Sequence, residues 1–423
     1  MMTQAFYTGI SGLKVYSQGI DVVSDNLANI STIGFRSYGA EYSSLFEKTL
    51  SSASSNLTLS NTIGVGVNMQ ATTMSQAQGS LALSDRSTDL AIMGDGWFGI
   101  QSNGEPLYTR AGDFVFDAND DLVTNDGYHV LGTMGGNISK DNVLTKTLSE
   151  VKLSDIKSQE KLRFPKTLTY PPEPTTTSKF MANLGVGKEG YEVVTISSSV
   201  IDASSNRNDL KLTFKKSALQ TPPGTQWDVE ATVKSLDGNT LYDKQEGKVY
   251  FNDSGALVSS TLSSINNNGT PVQIDLGSGY DGIVSIDIPV VSGSSISDGT
   301  IGGDLMGYSI NKNGEVVATF TNGKQSSVGR IAIYHFQNDK GLQRVTGTRF
   351  AKSSNSGDAI FYKDANGQNV IGTDITNFKL ENSNVEMSAG LTELIILQRS
   401  YDANAKSITT ADEMVQKALS MDA

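Results

Sequence analysis

Cysteine is absent from the 423-residue sequence, and proline and tryptophan are scarce, with nine and two residues. The absence of cysteine excludes disulfides, thiolate catalysis and cysteine-ligated metals. No run of about 18 apolar residues occurs, so the sequence predicts no membrane-spanning helix. The first residues lack a basic start followed by an apolar stretch, so we also expect no cleavable signal peptide.

Positive charge is also in deficit. Lysine and arginine number 33 against 45 acidic residues, which gives a formal net charge of −12. This balance does not favour a nucleic-acid partner or an anionic membrane surface. Hydrophobic residues make up 37 % of the chain, which is enough to build cores, and the length is typical of two or three domains.

Motifs of known chemistry are few. The chain contains two histidines, His129 and His335, and no serine-hydrolase, zinc-protease or phosphate-loop motif. Gly94 to Gly99 matches the G-x-G-x-x-G pattern of dinucleotide sites, but Pro106 and the turn before it prevent the helix that such a site requires. We therefore predict no catalytic site, metal or cofactor, and a hydrolase with scattered carboxylates stays an unsupported alternative.

Two further segments have a candidate function and a simpler structural interpretation. Asp117 to Asp121 begins like a calcium loop, but Leu122 and Tyr128 occupy the positions that need glycine and glutamate. A hairpin turn is the better interpretation. Trp227 lies near other aromatic residues at strand spacing, which favours core packing over a ligand platform. A secreted β-rich adhesin that uses Trp227 is a distant alternative function.

Short polar turns and glycine dominate the middle of the chain. There are 42 glycines, and pairs such as Asn103-Gly104, Asp126-Gly127 and Asn366-Gly367 separate runs of alternating apolar residues. The runs are rich in β-branched and aromatic residues, which favour strands. The pattern predicts a mostly β protein with sandwich or barrel-like domains.

Two segments of biased composition divide this β region. Pro165 to Pro174 has the composition of a stiff linker, and Val291 to Gly303 is rich in serine and glycine. We expect the residues between them to form an outer β domain inserted into an inner one. The predicted parts are an inner split β domain over 71–164 and 296–358, an outer β domain over 165–295, and connectors over 34–70 and 359–383.

Apolar residues recur in alternating steps of three and four at both ends of the chain, which is the pattern of a coiled-coil seam. We predict terminal helices within 1–33 and 384–423 that pair as a coiled coil, either inside one chain or between copies. Gly9, Gly12 and Gly19 each disfavour the first helix by up to about 1 kcal/mol, so we expect disordered ends in the monomer. The predicted self-assembly residues are Phe6, Ile10, Leu13, Ile20, Leu27, Met387, Leu391, Leu394, Tyr401, Ile408, Val415 and Leu419.

The inner limits of both helices also have sequence signals. The first helix should end near Asn29, because β-branched residues and then Gly34 follow, and glycine tolerates a left-handed backbone. Ser383 and Glu386 have the spacing of a capping box. The second helix should therefore begin near Asn384.

A specific motif lies near each end of the chain. Asp25 to Arg36, an asparagine-rich helix end followed by T-x-G-[FY]-[KR], closely resembles the amino-terminal signature of the family of flagellar rod and hook proteins. Leu394 to Met414 is similar to its carboxy-terminal signature, and Asp89 to Phe98 and Tyr108 to Phe114 resemble its middle block. The matching signature positions are Asn26, Asn29, Thr32, Gly34, Phe35, Gln398, Arg399, Tyr401, Asn404, Thr410 and Asp412.

The resemblance implies a hook-type member of the family, since distal rod proteins are shorter and lack a large inserted β domain. Such a subunit would leave the cell through the flagellar type III export apparatus and polymerise into a hollow, flexible tube that transmits motor torque. Its implied partners are copies of itself, the distal rod protein, the hook cap and the hook-filament junction proteins. Its implied location is the extracellular hook, and a distal rod or other axial subunit is the alternative.

Overall fold

The computed structural model describes residues 2–45, 47–49, 62–102, 104–186, 193–220, 222–288 and 291–421. In these ranges the chain is mostly β, with a helix near each terminus, which confirms the predicted fold class. The helices are α1 (Met2–Ala28) and α2 (Met387–Met421). The turn predicted at Asn103-Gly104 includes Asn103, which lies outside the described residues.

The strands of the described residues fall into two halves of the sequence. Those before the middle of the chain are β1 (Tyr38–Ser44), β2 (Glu47–Thr49), β3 (Thr62–Gly64), β4 (Val67–Met74), β5 (Leu81–Leu83), β6 (Leu90–Met93), β7 (Trp97–Gln101), β8 (Leu107–Thr109), β9 (Phe114–Phe116), β10 (Leu122–Thr124), β11 (His129–Met134), β12 (Glu160–Lys161), β13 (Thr169–Tyr170), β14 (Thr177–Asn183), β15 (Val193–Ile201) and β16 (Arg207–Lys216). Those after it are β17 (Thr225–Ser235), β18 (Leu241–Phe251), β19 (Leu257–Ser260), β20 (Ser264–Asn267), β21 (Thr270–Asp275), β22 (Gly277–Ser278), β23 (Asp281–Val284), β24 (Val291–Ser297), β25 (Gly303–Ile310), β26 (Glu315–Phe320), β27 (Gln325–Ile331), β28 (Ile333–Tyr334), β29 (Gln343–Thr346), β30 (Arg349–Ala351), β31 (Tyr362–Lys363), β32 (Asn369–Val370), β33 (Asp374–Asn377) and β34 (Lys379–Glu381).

A large sheet, here called the inner sheet, joins the early and late parts of the chain. Its main strand order is β13-β25-β26-β27-β11-β7-β8-β30-β29. The two parts meet where β11 pairs antiparallel with β27, with Gly132 opposite Ile331. Aromatic and aliphatic side chains of both parts fill one core, which includes Phe98, Phe114 and Phe320.

The limits predicted for the inner domain were too narrow. Leu168 and Tyr170, which fall in the predicted linker and outer domain, are buried in the inner core. Tyr170 also pairs with Gly303 across β13 and β25. Ile371 and Ile375, predicted as connector, are buried in the same core. The predicted limits followed the polar and proline-rich composition of these stretches. Parts of the stretches nevertheless pair with strands of the inner sheet and so contribute side chains to its core.

Two further sheets share a second core, built from the inserted residues. One has the order β15-β16-β17-β18-β19, and the other contains β20-β21-β14-β23-β22 with β24 paired to β14. Buried and exposed residues alternate along β15 and β16, as expected for strands with one face in a core. The chain enters and leaves this region where Glu173 and Thr300 form an antiparallel bridge, so the insertion begins later and ends later than predicted.

The predicted connector at 34–70 contains more regular structure than expected. Its strand β1 pairs antiparallel with β4, from Tyr38 opposite Met74 to Ser44 opposite Val67. The resulting ribbon packs on α1, where the rings of Tyr16 and Tyr42 are 6.3 Å apart. Residues 46 and 50–61 of this connector lie outside the described residues.

The first helix ends close to its predicted limit, at Ala28, and Gly34 follows with a φ of +68°. Neither α1 nor α2 is apolar enough along its length to cross a membrane, and no other long helix occurs in the described ranges.

The second helix begins at Met387, three residues after the predicted start. Glu386 Oε1 accepts a hydrogen bond from the Ser388 hydroxyl at 3.1 Å instead of closing a capping box. Asn384 is held outside the helix, because its Oδ1 accepts from the Ser37 amide at 2.7 Å and its Nδ2 donates to the Ala77 carbonyl at 2.8 Å. Tertiary contacts thus delay the helix start.

Candidate assembly surface and its anchor

The two terminal helices pair with each other inside one chain and run antiparallel. Gly9 faces Ile408, Gly19 faces Leu397, and Leu27 packs on Gly390. A Cβ atom added at Gly9 would lie 2.6 Å from Ile408 Cγ1, so the backbones approach more closely than larger residues would allow. The glycines that disfavour an isolated helix therefore form the contact surface of α1.

The face of α1 that is buried differs from the predicted seam by one residue. Gly9, Gly12, Val15, Gly19 and Val23 are buried, whereas the seam was placed at positions 6, 10, 13, 20 and 27. One residue corresponds to a rotation of about 100° around the helix axis. Glycine carries no hydrophobic signal, so a search for apolar residues selected the neighbouring stripe.

The predicted seam residues of α1 differ in their exposure to solvent. Ile10 is 55 % exposed, while Phe6, Leu13, Ile20 and Leu27 are half-buried. Leu27 packs on Gly390, and the rest of the predicted stripe borders the contact made by the buried face of α1.

Three of the seven predicted seam residues of α2 are half-buried, namely Leu394, Ile408 and Val415. Leu397 and Ala411, which were not predicted, are buried, and Ile408 and Leu397 face glycines of α1. The remaining predicted positions point outward. Exposed seam residues of α2 are Met387, Leu391, Tyr401 and Leu419.

An apolar stripe on α2 has no partner among the described residues. Met387, Leu391 and Ile395 follow each other at intervals of four, so they share one face of the helix, and Ile396 is exposed beside them. Ile395 and Ile396 are each 58 % exposed. Clustered exposed apolar residues on a helix are typical of a protein–protein contact. We call Met387, Leu391, Ile395 and Ile396 the outer stripe.

Signature residues at the end of α1 tie the helix to the ribbon of β1 and β4. The amide of Asn26 pairs with the Tyr38 backbone, donating from Nδ2 to the carbonyl at 2.7 Å and accepting at Oδ1 from the amide at 2.9 Å. Asn29 Nδ2 donates to the Asp25 carbonyl at 2.8 Å, and its Oδ1 accepts from the Thr32 hydroxyl at 3.1 Å. The Asn26 bonds satisfy the backbone groups of the first residue of β1, and the Asn29 side chain adds a second donor to a carbonyl in the last turn of α1.

Gly34 and Phe35 continue the signature into the inner β region. A Cβ atom at Gly34 would lie 2.4 Å from the Ala111 amide nitrogen, and the Gly34 amide donates to the Glu381 carbonyl at 2.7 Å. Phe35 is buried, with the guanidinium of Arg344 5.2 Å from its ring centre. Glycine is required here for both its backbone conformation and its size.

A buried ion cluster lies where both helices leave the inner β region. Glu381 is ion-paired with Arg36 at 2.8 Å and with Arg110 at 3.4 Å, and all three side chains are at most 4 % exposed. Glu381 Oε1 also accepts from the Gly79 amide at 3.0 Å, and Arg110 donates to the Gly94 carbonyl at 2.6 Å. We call Arg36, Arg110 and Glu381 the anchor cluster.

Burial affects the charges of this cluster. It lowers the pKa of Arg36, and together with the neighbouring charge of Arg36 it lowers the pKa of Arg110 to about 10. Arg110 therefore stays protonated at neutral pH. The carboxylate of Glu381 compensates two buried positive charges drawn from residues far apart in the sequence.

A second contact near the anchor cluster is exposed to solvent. Arg344 donates to Asp25 Oδ2 at 2.7 Å and to the Gly347 carbonyl at 3.0 Å, and its guanidinium stacks near the rings of Phe35 and Tyr38. It links strand β29 of the inner sheet to the end of α1. Exposed pairs of this type are weak individually.

Signature positions in α2 divide into contact and surface residues. Asn404 donates to the Ser400 carbonyl at 2.8 Å and packs against Gly12. The other positions are exposed, and Asp412 accepts from Gln416 Nε2 at 2.8 Å. The exposed signature residues are Gln398, Arg399, Tyr401, Thr410 and Asp412.

Sequence reasoning missed Glu381, Arg110 and Asn384. Arg36, the last residue of the amino-terminal signature, was a usable signal. It follows the apolar Phe35, and an arginine that is buried beside an apolar residue needs an acidic partner. Which of 45 acidic residues supplies it depends on the fold.

Three features considered from sequence have structural roles. Gly94 and Gly96 form the turn between β6 and β7 with φ of +112° and +116°. Asp117 Oδ1 accepts from the Asn119 and Asp121 amides in the turn between β9 and β10. Trp227 is fully buried and its Nε1 donates to Ser285 Oγ at 3.3 Å, which confirms a core position.

Three family models match the chain. The model described as flagella basal body rod protein matches residues 6–36, the flagellar hook protein FlgE/F/G D1 domain matches 91–163, and the flagellar basal body rod FlgEFG protein C-terminal matches 378–421. They cover α1, the start of the inner sheet and α2. End-to-end matches to hook proteins add to them: the FlgE of Borreliella burgdorferi is 28 % identical, with 98 % of this chain and 99 % of that protein covered.

Over nearly its whole length the chain is similar to flagellar hook proteins named FlgE. The FlgE of Escherichia coli is 27 % identical, with 99 % of this chain and 100 % of that protein covered. The crystal structure of Helicobacter pylori flagellar hook protein FlgE2 shares the fold with a TM-score of 0.53 at 15 % identity, over 71 % of this chain and 100 % of that one.

Proposed function

We propose that this chain is a structural subunit that self-assembles into a hollow, flexible helical tube and transmits motor torque from rod to filament. The observation that carries the proposal is the outer stripe on α2. Within the chain, α1 contacts α2 through its glycine face and leaves the outer stripe exposed. The outer stripe is therefore available for contact with neighbouring copies. Burying such apolar surface is the main driving force of association.

The layers of the tube follow from the connections of the chain. Helix pairs would form the inner layer, the inner sheet the wall, and the inserted sheets the outside. The anchor cluster fixes the helix pair to the wall through buried charges, and Arg344 adds an exposed contact. Torque applied to the inner layer would therefore reach the wall through Arg36, Arg110 and Glu381.

A role in catalysis is not part of the proposal. The buried guanidinium groups of Arg36 and Arg110 are both ion-paired with Glu381. We further propose export through the flagellar type III apparatus, an extracellular position in the hook, and contacts with the distal rod protein, the hook cap and the hook-filament junction proteins.

The alternatives have less support. Two of the matched models have rod names, but they cover the end segments, and the end-to-end matches are to hook proteins. A distal rod position therefore stays the second candidate. The adhesin alternative loses its anchor residue, because Trp227 has no exposed surface.

The outer stripe provides the test. We expect Ile395→Asp to abolish tube formation, because it puts an unpaired charge into an apolar contact, while the β regions keep their unfolding transition. Polymerisation of purified protein followed by electron microscopy measures this.

The matched control is Leu241→Asp, on an exposed position of β18 in the inserted region. It should polymerise normally. Tubes of normal yield from the Ile395→Asp variant would reject the stripe as an assembly contact.

A further inference from the structure

One edge of the inner sheet is β29, and the other is β25 beyond Gly303 and Asp304, the two residues that pair with the short strand β13. Each of these edges carries a bulge with an outward apolar residue. At the β25 edge, Leu305 pairs with Phe320 and Gly307 with Thr319, so Met306 between them is unpaired and 71 % exposed. At the β29 edge, the register shifts between Arg344 and Thr346, and Val345 is 53 % exposed. Bulges at sheet edges are built features that redirect side chains.

An apolar pocket of about 270 Å³ opens beside Met306. Its walls include the rings of Phe116, Phe164 and Tyr308, with centroid separations of 5.4 to 6.5 Å. The Tyr308 hydroxyl donates to the Pro165 carbonyl at 2.6 Å, which fixes the ring in place. A rigid aromatic pocket of this size suits one or two aliphatic side chains.

Each of the two edges carries charged groups of both signs. Lys166 lines the pocket and is largely exposed, with its ammonium 3.8 Å from Asp120. Beside Val345, Arg344 lies in a groove with the exposed carboxylates of Asp21 and Asp25 on α1. Complementary charge at the rim of an apolar contact favours correct orientation.

We propose that the pocket beside β25 receives Val345 from the β29 edge of a second copy of this chain. The inference rests on the proposed polymerisation, and it names the contact between neighbouring walls. In a helical polymer each subunit presents two different complementary surfaces, and a pocket at one edge with an apolar residue at the opposite edge meets this requirement. The contact also covers two sheet edges that would otherwise stay open.

Engineered cysteines test the contact directly, because the chain has no cysteine of its own. Met306→Cys and Val345→Cys are made in separate chains, which are mixed, polymerised and oxidised. Each chain then carries one thiol, so any disulfide joins two copies. We expect a covalent dimer on non-reducing gels from the mixed polymer, and at least about tenfold less dimer from either variant polymerised alone.

Controls separate this inference from the proposed function. Val345→Cys mixed with Leu236→Cys, an exposed position of the inserted region, should give no dimer above background. Mixed tubes that form normally without a Met306–Val345 dimer would overturn the wall contact and leave the hook assignment intact. Absence of tubes from the unmodified chain would instead count against the proposed function.

A charge variant provides a second readout. Val345→Asp should raise the critical concentration for polymerisation by about tenfold or more, since a carboxylate cannot enter the aromatic pocket without losing its hydration. Val258→Asp, at an exposed position of β19, should leave it unchanged. Near-ultraviolet circular dichroism of the monomers checks folding, and equal critical concentrations for both variants would contradict the proposal.

Discussion

Among single residues, Glu381 has the most demanding surroundings. Its carboxylate contacts two guanidinium groups and a backbone amide while almost no water reaches it. A buried ion pair contributes little over a matched apolar pair, but removal of one partner leaves the others uncompensated. Glu381 is therefore required because Arg36 and Arg110 are present.

We predict that Glu381→Gln lowers the free energy of unfolding by about 3–5 kcal/mol, because two buried cations lose their counter-charge. Urea denaturation measures the change. Glu386→Gln, five residues later and exposed, should shift the free energy by less than about 0.5 kcal/mol. Equal effects of the two substitutions would show that the anchor cluster is not a stability determinant.

His335 supplies a pH dependence. Burial lowers its pKa below the usual 6.5, and its Nε2 lies 2.7 Å from the Ile371 carbonyl; Asp339 and Asp95 oppose the shift, and Arg110 adds to it. Below about pH 6.5 the histidine is protonated in the unfolded chain, whereas in the folded chain protonation requires a lower pH. The stability that is present above this pH is therefore lost as the pH falls.

We therefore expect the free energy of unfolding to fall between pH 7.5 and 5.5, by an amount that His335→Gln reduces. Burial raises the pKa of Asp339, which acts in the opposite direction at lower pH. Asp339 and His335 interact electrostatically, so the change of slope in the His335→Gln variant includes the effect of the lost imidazole on Asp339. Denaturation series at several pH values measure the slope. His129→Gln is the control, and an unchanged slope in the His335→Gln variant would contradict this assignment.

At the scale of the elements, packing of α1 against α2 outweighs the low helix propensity of the glycines in α1. Replacing glycine with alanine in an isolated helix is favourable by about 1 kcal/mol. In α1 the same change at Gly9 adds a Cβ atom 2.6 Å from Cγ1 of the β-branched Ile408 in α2. The two effects have opposite signs, so the sign of the measured change reports on the helix pair.

We predict that Gly9→Ala lowers the thermal stability of the helices, with an overpacking cost of about 1–3 kcal/mol exceeding the gain in propensity. Helical circular dichroism during heating measures it. Ser17→Ala, on an exposed face of the same helix, should be neutral or slightly stabilising. A more stable Gly9→Ala variant would mean that α1 does not pack on α2 in the monomer, as the sequence alone suggested.

At the scale of the whole molecule, the inserted region joins the wall through a narrow connection. The amide of Glu173 donates to the Thr300 carbonyl at 2.9 Å, and the amide of Thr300 donates to the Glu173 carbonyl at 2.8 Å. Buried side chains of the inner core lie outside this insertion, and the inserted sheets have their own core. The two regions therefore share few stabilising contacts through this connection.

We predict that residues 174–299 can be replaced by a two-residue Asn-Gly turn, since a directly opposed strand pair accepts such a turn. The shortened chain should unfold cooperatively and form tubes of smaller diameter, as seen by electron microscopy. A matched variant that removes 160–299 deletes Tyr170 and Leu168 from the inner core and should not fold. An unfolded 174–299 deletion would show that the insertion stabilises the wall.

Several features were determined by local sequence. Alternating apolar runs and polar turns predicted a mostly β chain, and three-and-four spacing at both termini predicted the helices, because both patterns depend on residues close in sequence. The end of α1 was placed within one residue, since Gly34 and the residues before it restrict the backbone locally.

Other features were decided by tertiary structure. Glycine gives no apolar signal, so the face of α1 that meets α2 was recognisable only once Ile408 and Leu397 were in position. The anchor cluster joins Arg36, Arg110 and Glu381 across more than 300 residues of chain, and Asn384 delays the start of α2 through contacts with residues equally distant. Sequence determined which elements form, and the fold determined which of their faces meet, because a face acquires its partner only when distant segments pack together.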